Sequence, residues 1–207
     1  MLSMLAGCGK EAETTDVTEA VTTEVETTEE IAEEASDTDT DEKSSEEKVA
    51  ECASLIDAIY VQEWSEDTEE LCEKAKASWD ALTDEEKEMV EGENADPDYF
   101  GRDTGDASKD DPRNADDIGE NEILVVSFGT SFNDSRSMDI GGVEAAIEEA
   151  YPDWSVRRAF TAQIIINHVL SRDGEKIDNV KQALDRAVDN GVKNLLVQPT
   201  HLMHGAE

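Results

Sequence analysis

Residues 123–126, Ile-Leu-Val-Val, form a continuous apolar run that follows a long acidic region. A short run of this kind is typical of a strand that is buried on both faces of a parallel sheet. Two further segments, 154–160 and 194–198, also predict strands, and stretches with helical spacing separate the three. The order β-α-β-α-α-β predicts an α/β fold from residue 121 onward, with a parallel sheet and helices on its faces.

The helices of this region are marked by apolar residues at spacings of three and four. The predicted helices cover about 140–150, 164–170 and 177–188. Thr161 is the expected N-cap of the second helix. Gly191 closes the third at the position where a left-handed residue commonly ends a helix.

Acidic residues are concentrated before the α/β segment. The chain has a formal net charge of −36, but residues 121–207 contain 13 acidic and 8 basic side chains and contribute only −5. So negative a chain would be repelled by a phosphate backbone, which argues against binding to nucleic acid. Most of the acidity therefore belongs to residues 1–120.

The first ten residues predict a lipid anchor. Leu5-Ala6-Gly7-Cys8 is similar to the lipobox of bacterial lipoproteins, in which the cysteine is lipidated and becomes the mature N-terminus. Residues 1–10 lack the basic and long apolar regions of a complete signal peptide, so they are read as a truncated one, and a chance match in a cytosolic protein is the alternative. We expect an exported lipoprotein, anchored to the membrane through Cys8 at the cell surface or in the periplasm. The sequence contains no run of 18 or more apolar residues, so it does not predict a membrane-spanning helix.

Three further segments lie between this terminus and the sheet. Residues 11–46 contain mainly Thr, Glu, Asp, Ser and Ala and no aromatic residue, which predicts a disordered acidic tether; a loose collector of divalent cations is a less favoured alternative. Residues 47–92 predict a small helical module, with helices near 47–62, 68–81 and 84–91. Its Cys52 and Cys72 are either a disulfide or two small buried apolar side chains. Residues 93–120 are rich in Gly, Pro and Asp and predict an acidic linker at a domain boundary.

Candidate functional residues follow the predicted strands. In open parallel sheets, ligands bind beyond the carboxyl ends of the strands, which are here the loops 127–131, 160–163 and 199–207. The first loop could donate hydrogen bonds to an anion, although it also fits an ordinary turn. The last loop holds His201, His204 and Glu207, a weak metal signal in itself. His168 lies in an apolar helix and is expected to be structural.

Three motifs then occur in one order: LVVSFGTS at 124–131, RAFT at 158–161 and QPTH at 198–201, with Gly205 and Glu207 behind them. Together they resemble the anaerobic-type sirohydrochlorin cobaltochelatases, class II chelatases related to ferrochelatase. The resemblance covers residues 121–207. It implies insertion of Co²⁺ into sirohydrochlorin with release of two protons, in anaerobic cobalamin biosynthesis. The implied fold has two similar α/β halves with the tetrapyrrole in the cleft between them, and exported members are known.

The resemblance also implies roles for individual residues. Glu207 matches the family's catalytic carboxylate, and His201 matches a histidine that lines the site and is a weak candidate for a metal ligand. The implied substrate-binding residues are Ser127, Gly129, Thr130, Ser131, Phe160, Thr161 and His201. The family's two catalytic histidines and a further glutamate belong to a second half with no counterpart up to Glu207. We therefore expect a fragment that is inactive and unstable alone.

The implied partners are sirohydrochlorin and Co²⁺, the latter as a substrate, with no tightly bound cofactor and a possible homo-oligomer. Two other functions remain open at this point. One is a non-catalytic surface lipoprotein that binds tetrapyrrole or metal, and the other is a structural surface protein with a degenerate domain.

Overall fold

The computed structural model describes residues 43–101 and 104–202. The predictions for Cys8, for the tether up to residue 42, and for His204 and Glu207 lie outside the described residues. None of the helices within the described ranges is long and apolar enough to cross a membrane.

Three helices come first in the described chain: α1 (Ser45–Ile59), α2 (Thr68–Asp80) and α3 (Asp84–Lys87). They confirm the three predicted helices, and α3 begins with a capping box formed by Thr83 and Glu86. The third helix is shorter than predicted, because the amides of Met89 and Val90 turn back to carbonyls three residues earlier. This turn buries the Val90 side chain in the core.

Cys52 and Cys72 are separate, fully buried thiols, so the disulfide alternative is wrong and the apolar one is confirmed. The Cys72 Sγ donates a weak hydrogen bond of 3.5 Å to the carbonyl of Asn167 instead. Burial, with Glu69 and Glu73 nearby, raises the pKa of the Cys72 thiol to about 12. Both cysteines therefore act as small apolar side chains of the core.

The sheet has three parallel strands in the order β2-β1-β3: β1 (Asn121–Ser127), β2 (Ser155–Phe160) and β3 (Asn194–Pro199). The central strand β1 is buried from Glu122 to Ser127, which explains its continuous apolar sequence. In register, Val125 lies beside Arg158 of β2 and Gln198 of β3. The prediction of a parallel α/β sheet from residue 121 is confirmed.

Four helices accompany the sheet: α4 (Asn133–Ser135), α5 (Gly141–Ala150), α6 (Gln163–Asp173) and α7 (Val180–Asp189). A π-helical turn, Arg136–Ile140, joins the first two of them. Gly191 follows α7 with φ +70°, as expected for a residue that ends a helix. Thr161 is not the N-cap of α6, because that helix begins one residue later, after Ala162.

Helices α1 and α2 pack directly against α6. The Asn167 side chain of α6 donates a 2.8 Å hydrogen bond to the carbonyl of Ile59 at the end of α1. Tyr99 and Phe100, from the predicted linker, are buried in the same apolar cluster as α1 and α2. The described residues from 43 onward therefore belong to one compact unit. The linker's two aromatic side chains are the physical reason, since they complete that core.

Candidate functional site

The carboxyl ends of the three strands meet at one edge of the sheet. The amide of Thr161 donates to the carbonyl of Ser127 at 2.9 Å, and the amide of Thr200 donates to the carbonyl of Val126 at 2.9 Å. A side-chain hydrogen bond of 2.9 Å runs from the Thr200 hydroxyl to the Ser127 hydroxyl. The three motifs found in the sequence are therefore held against one another at this edge.

His201 lies at the same edge. Its Nε2 is 3.4 Å from the Thr161 hydroxyl, so this ring nitrogen and the end of β2 are neighbours. The side chain is exposed. An imidazole in this position can bind a ligand or accept a proton from the solvent side. Thr161, expected to cap α6, instead contributes its hydroxyl to the site.

Gly129 is required by the geometry of the first loop. Its φ is +104°, and a Cβ at this position would lie 2.5 Å from the ring of Phe160. The loop therefore crosses directly above the Phe160 ring, which is fully buried among Ile166, Val169 and Ile177. Phe160, which the resemblance implies as a substrate contact, is fully buried beneath this loop and supports it.

The other loop residues are partly exposed. The Thr130 hydroxyl accepts a 3.2 Å hydrogen bond from the amide of Phe132, and the carbonyl of Ser131 accepts a 2.7 Å hydrogen bond from Arg172 of α6. Phe128 and Phe132 are each 47% exposed. Phe132 directly follows the polar loop, so its aromatic side chain was a usable signal in the sequence that pointed to the site.

A network of buried ion pairs surrounds Arg158, which lies two residues before the end of β2. Both Glu144 oxygens accept hydrogen bonds of 2.8 Å from the Arg158 guanidinium, and Asp110 accepts two more, at 2.7 and 3.0 Å. Arg136 also donates to Asp110, at 2.6 Å. Burial alone would raise the pKa of the Asp110 carboxyl, but the hydrogen bonds and charge of Arg158, with those of Arg136, lower it below its ordinary value. The network therefore anchors the carboxyl end of strand β2.

Sequence reasoning missed this network. Asp110 lies in the segment read as a linker, and nothing in an Asp-rich run distinguishes the one carboxylate that becomes buried. Arg158 lies in a recognised motif, but a charged residue in a strand gives no indication of its partners. The network is structural, since each charge has an opposite charge beside it.

The described residues do not form a metal site by themselves. Among residues 43–101 and 104–202, no group of three or more His, Cys, Asp or Glu side chains could hold a metal ion. His201 is the candidate ligand within these ranges, and the two other candidates of its loop, His204 and Glu207, lie outside them. His168 stacks on Tyr99, with ring centroids 4.5 Å apart, in agreement with its expected structural role.

The strand edge described above lies in a region of the chain that is similar to known proteins. Residues 121–207 match the protein-family model described as cobalt chelatase (CbiK). A curated Salmonella typhimurium (strain LT2) protein, sirohydrochlorin cobaltochelatase, is 38% identical over 85 residues, which cover 41% of this chain and 32% of the relative. The matched region thus spans about a third of that relative's length. No solved structure matches the chain.

Proposed function

We propose that this protein is a metal chelatase that inserts Co²⁺ into sirohydrochlorin, with release of two protons, in anaerobic cobalamin biosynthesis. The observation that carries the proposal is the meeting of Ser127, Thr161, Thr200 and His201 at one strand edge. This edge lies inside the region that matches the cobalt chelatase family. A ligand site at such an edge is the general rule for open parallel sheets.

The reaction needs three things from a protein. The metal ion must lose water ligands, the macrocycle must be held in place, and two pyrrole N–H protons must be accepted. Imidazole suits the first and third tasks, since it binds Co²⁺ and accepts protons near neutral pH. His201 is exposed beside the Thr161 hydroxyl and is proposed to do one or both. Glu207 is proposed as a further proton acceptor.

The loop of β1 is proposed to hold the macrocycle. Gly129 lets the chain pass closely over Phe160, with the backbone and hydroxyl groups of Ser127 before it and of Thr130 and Ser131 after it. Hydrogen bonds from Thr200 and Arg172 fix this loop before any substrate arrives. Such preorganisation reduces the cost of ordering on binding. Co²⁺ enters as a substrate, and we expect no tightly bound cofactor.

We also propose that the protein is exported and lipidated at Cys8, with the acidic segment as a spacer from the membrane. Incorporation of radiolabelled palmitate by the gene product tests this, with a Cys8→Ser variant as the matched control. Label in both proteins, or in neither, would remove the lipid anchor from the proposal.

The enzymatic proposal is tested by following the absorption spectrum of sirohydrochlorin after addition of Co²⁺ and the purified full-length gene product. We expect His201→Ala to slow insertion by about 10²–10⁴-fold, the usual contribution of a positioned base. Lys193→Ala is the control, because Lys193 pairs with Glu120 at the opposite end of the sheet. Binding of the tetrapyrrole without cobalt insertion would instead favour a non-catalytic binding protein.

A further inference from the structure

A cavity of about 350 Å³ lies next to the loop of β1, and two parts of the chain form its walls. One wall comes from the region that matches the family model and includes Ser131, Phe132 and Ile165. The other comes from residues that precede this region and includes Tyr60 and Asp96. The segment before residue 121 therefore reaches the edge where the substrate is proposed to bind.

Both walls are held in place before anything binds. Arg172 donates to the Ser131 carbonyl at 2.7 Å and to the Asn133 side chain at 3.1 Å, which fixes the inner wall. On the outer wall, the Asp57 carboxylate of α1 accepts hydrogen bonds from the amides of residues 93–95 at 2.6–3.1 Å. Asp57 lies three residues before Tyr60, so the end of α1 and the loop after it are fixed as one piece.

The chemistry of the cavity favours a flat conjugated ligand. Tyr60 and Phe132, one on each wall, are 40% and 47% exposed, and Ile164 and Ile165 line the space with them. Aromatic side chains stack on flat π-systems and bind them with little loss of side-chain entropy. The volume is near the lower limit of ordinary small-molecule sites, roughly 300–1,000 Å³. It therefore suits one pyrrole ring with its substituents, not a whole tetrapyrrole.

We propose that Tyr60 and the loop around Asp96 and Asp98 form an outer wall of the tetrapyrrole site, which receives one edge of the macrocycle between Tyr60 and Phe132. This inference deepens the proposed function and rests on it. It gives the helical segment, which lies outside the family match, a direct part in substrate recognition. Tyr60 is then a specificity-determining residue.

The acidic side chains of the outer wall make the proposal sharper. Asp96 and Asp98 line the same cavity and are exposed. Sirohydrochlorin carries carboxylate substituents, so these two residues repel an edge that enters the cavity. Removing one of the two negative charges must therefore strengthen binding of sirohydrochlorin. The expected gain is about a few-fold, because the repulsion between an aspartate and a carboxylate of the ligand is weak when both are exposed to solvent. A misfolded variant would not bind more tightly, so this sign cannot come from structural damage.

The test is a titration of the purified protein with sirohydrochlorin, without added metal, followed by absorbance. We expect Tyr60→Ala to raise the Kd by about 5–10-fold, because a single aromatic contact strengthens binding by roughly this factor. Trp64→Ala is the matched control: Trp64 is 41% exposed, follows the same helix and lines a different cavity. We expect it to leave the Kd unchanged, and we expect Asp98→Asn to lower the Kd.

Different failures have different meanings. If the unaltered protein does not bind sirohydrochlorin, the proposed function is lost and this inference with it. If the unaltered protein binds but Tyr60→Ala and Trp64→Ala have equal effects, only the inference is overturned. A higher Kd for Asp98→Asn would also overturn it, because the carboxylate would then assist binding.

Discussion

The core beneath helices α1–α3 and the core around the sheet bury different kinds of side chain. The helical core is one large apolar cluster, which includes Ile56, Cys72 and Trp79. The sheet is accompanied by three small apolar clusters in the described residues. This part of the molecule also contains fully buried charged side chains, among them Arg136, Glu144 and Arg158.

The difference affects how each region responds to change. Apolar burial stabilises a fold in proportion to the area removed from water and does not depend on charge state. A buried ion pair contributes little net stability, but removal of one partner leaves a buried charge without compensation. The region that carries the candidate site should therefore tolerate loss of a charge poorly, whereas the helical region should be sensitive to volume alone.

The largest loss is expected from Glu144→Ala. This change leaves the Arg158 guanidinium buried without two of its hydrogen-bond acceptors. We expect the free energy of unfolding to fall by about 3–5 kcal/mol, measured by urea denaturation at neutral pH. Glu149→Ala, at an exposed position of the same helix, is the control and should stay within about 0.5 kcal/mol. A small loss for Glu144→Ala would show that the network is not closed to water.

Ile56→Ala tests the helical core in the same way. Ile56 is fully buried, and truncation removes apolar contacts and leaves a cavity. We expect a loss of about 2–5 kcal/mol, depending on how far the neighbours collapse into the space. The comparison requires this loss to be the same at pH 4 and at pH 7. A loss that changes with pH would place a titrating group in this core and would weaken the contrast between the two regions.

A smaller loss, with a pH signature, is expected from Asp110→Asn. The amide still accepts hydrogen bonds from Arg158 and Arg136, but the charge is gone, so we expect about 1.5–3 kcal/mol at pH 7. The pKa of Asp110 is lowered in the folded state. Its stabilisation is therefore complete above the unfolded pKa of about 3.9 and is lost as the pH falls through the folded value.

The unaltered protein should accordingly lose stability more steeply than Asp110→Asn as the pH falls below about 4. Urea denaturation of both proteins at several acidic pH values measures the two slopes. Parallel slopes would mean that Asp110 titrates alike in the folded and unfolded states, contrary to the pairing described above.

The contrast also explains which features could be predicted from the sequence. Apolar periodicity predicts the strands and helices, because the same burial that makes the pattern also makes the element. The capping box of Thr83 and Glu86 is likewise local, because its two partners are three residues apart. In contrast, Asp110 and Arg158 are 48 residues apart in sequence, and no local pattern joins them. The same holds for Tyr60, which lines the cavity beside the β1 loop because α1 packs against α6.

Two residues have surroundings that the sequence pattern did not predict, and each difference has a specific physical cause. The resemblance implies that Phe160 contacts substrate, yet its ring is fully buried beneath Gly129. Thr161 was predicted to cap α6, but the hydrogen bond of its amide to Ser127 keeps it in the strand-end loop. In both cases a tertiary contact decided between two local possibilities.

The smallest expected effect tests how well the helical core excludes solvent. Cys52 and Cys72 are fully buried, and burial raises the pKa of both thiols. Because the thiolate is the reactive form, both thiols should react with a thiol reagent at pH 8 far more slowly in the folded protein than in the unfolded chain. The measurement uses a Cys8→Ser background, so that only these two thiols report. Ile56→Ala in that background should speed the reaction by opening the core, whereas Glu144→Ala, at equal loss of stability, should speed it only through global unfolding. Equal rates in the folded and unfolded protein would contradict a closed apolar core.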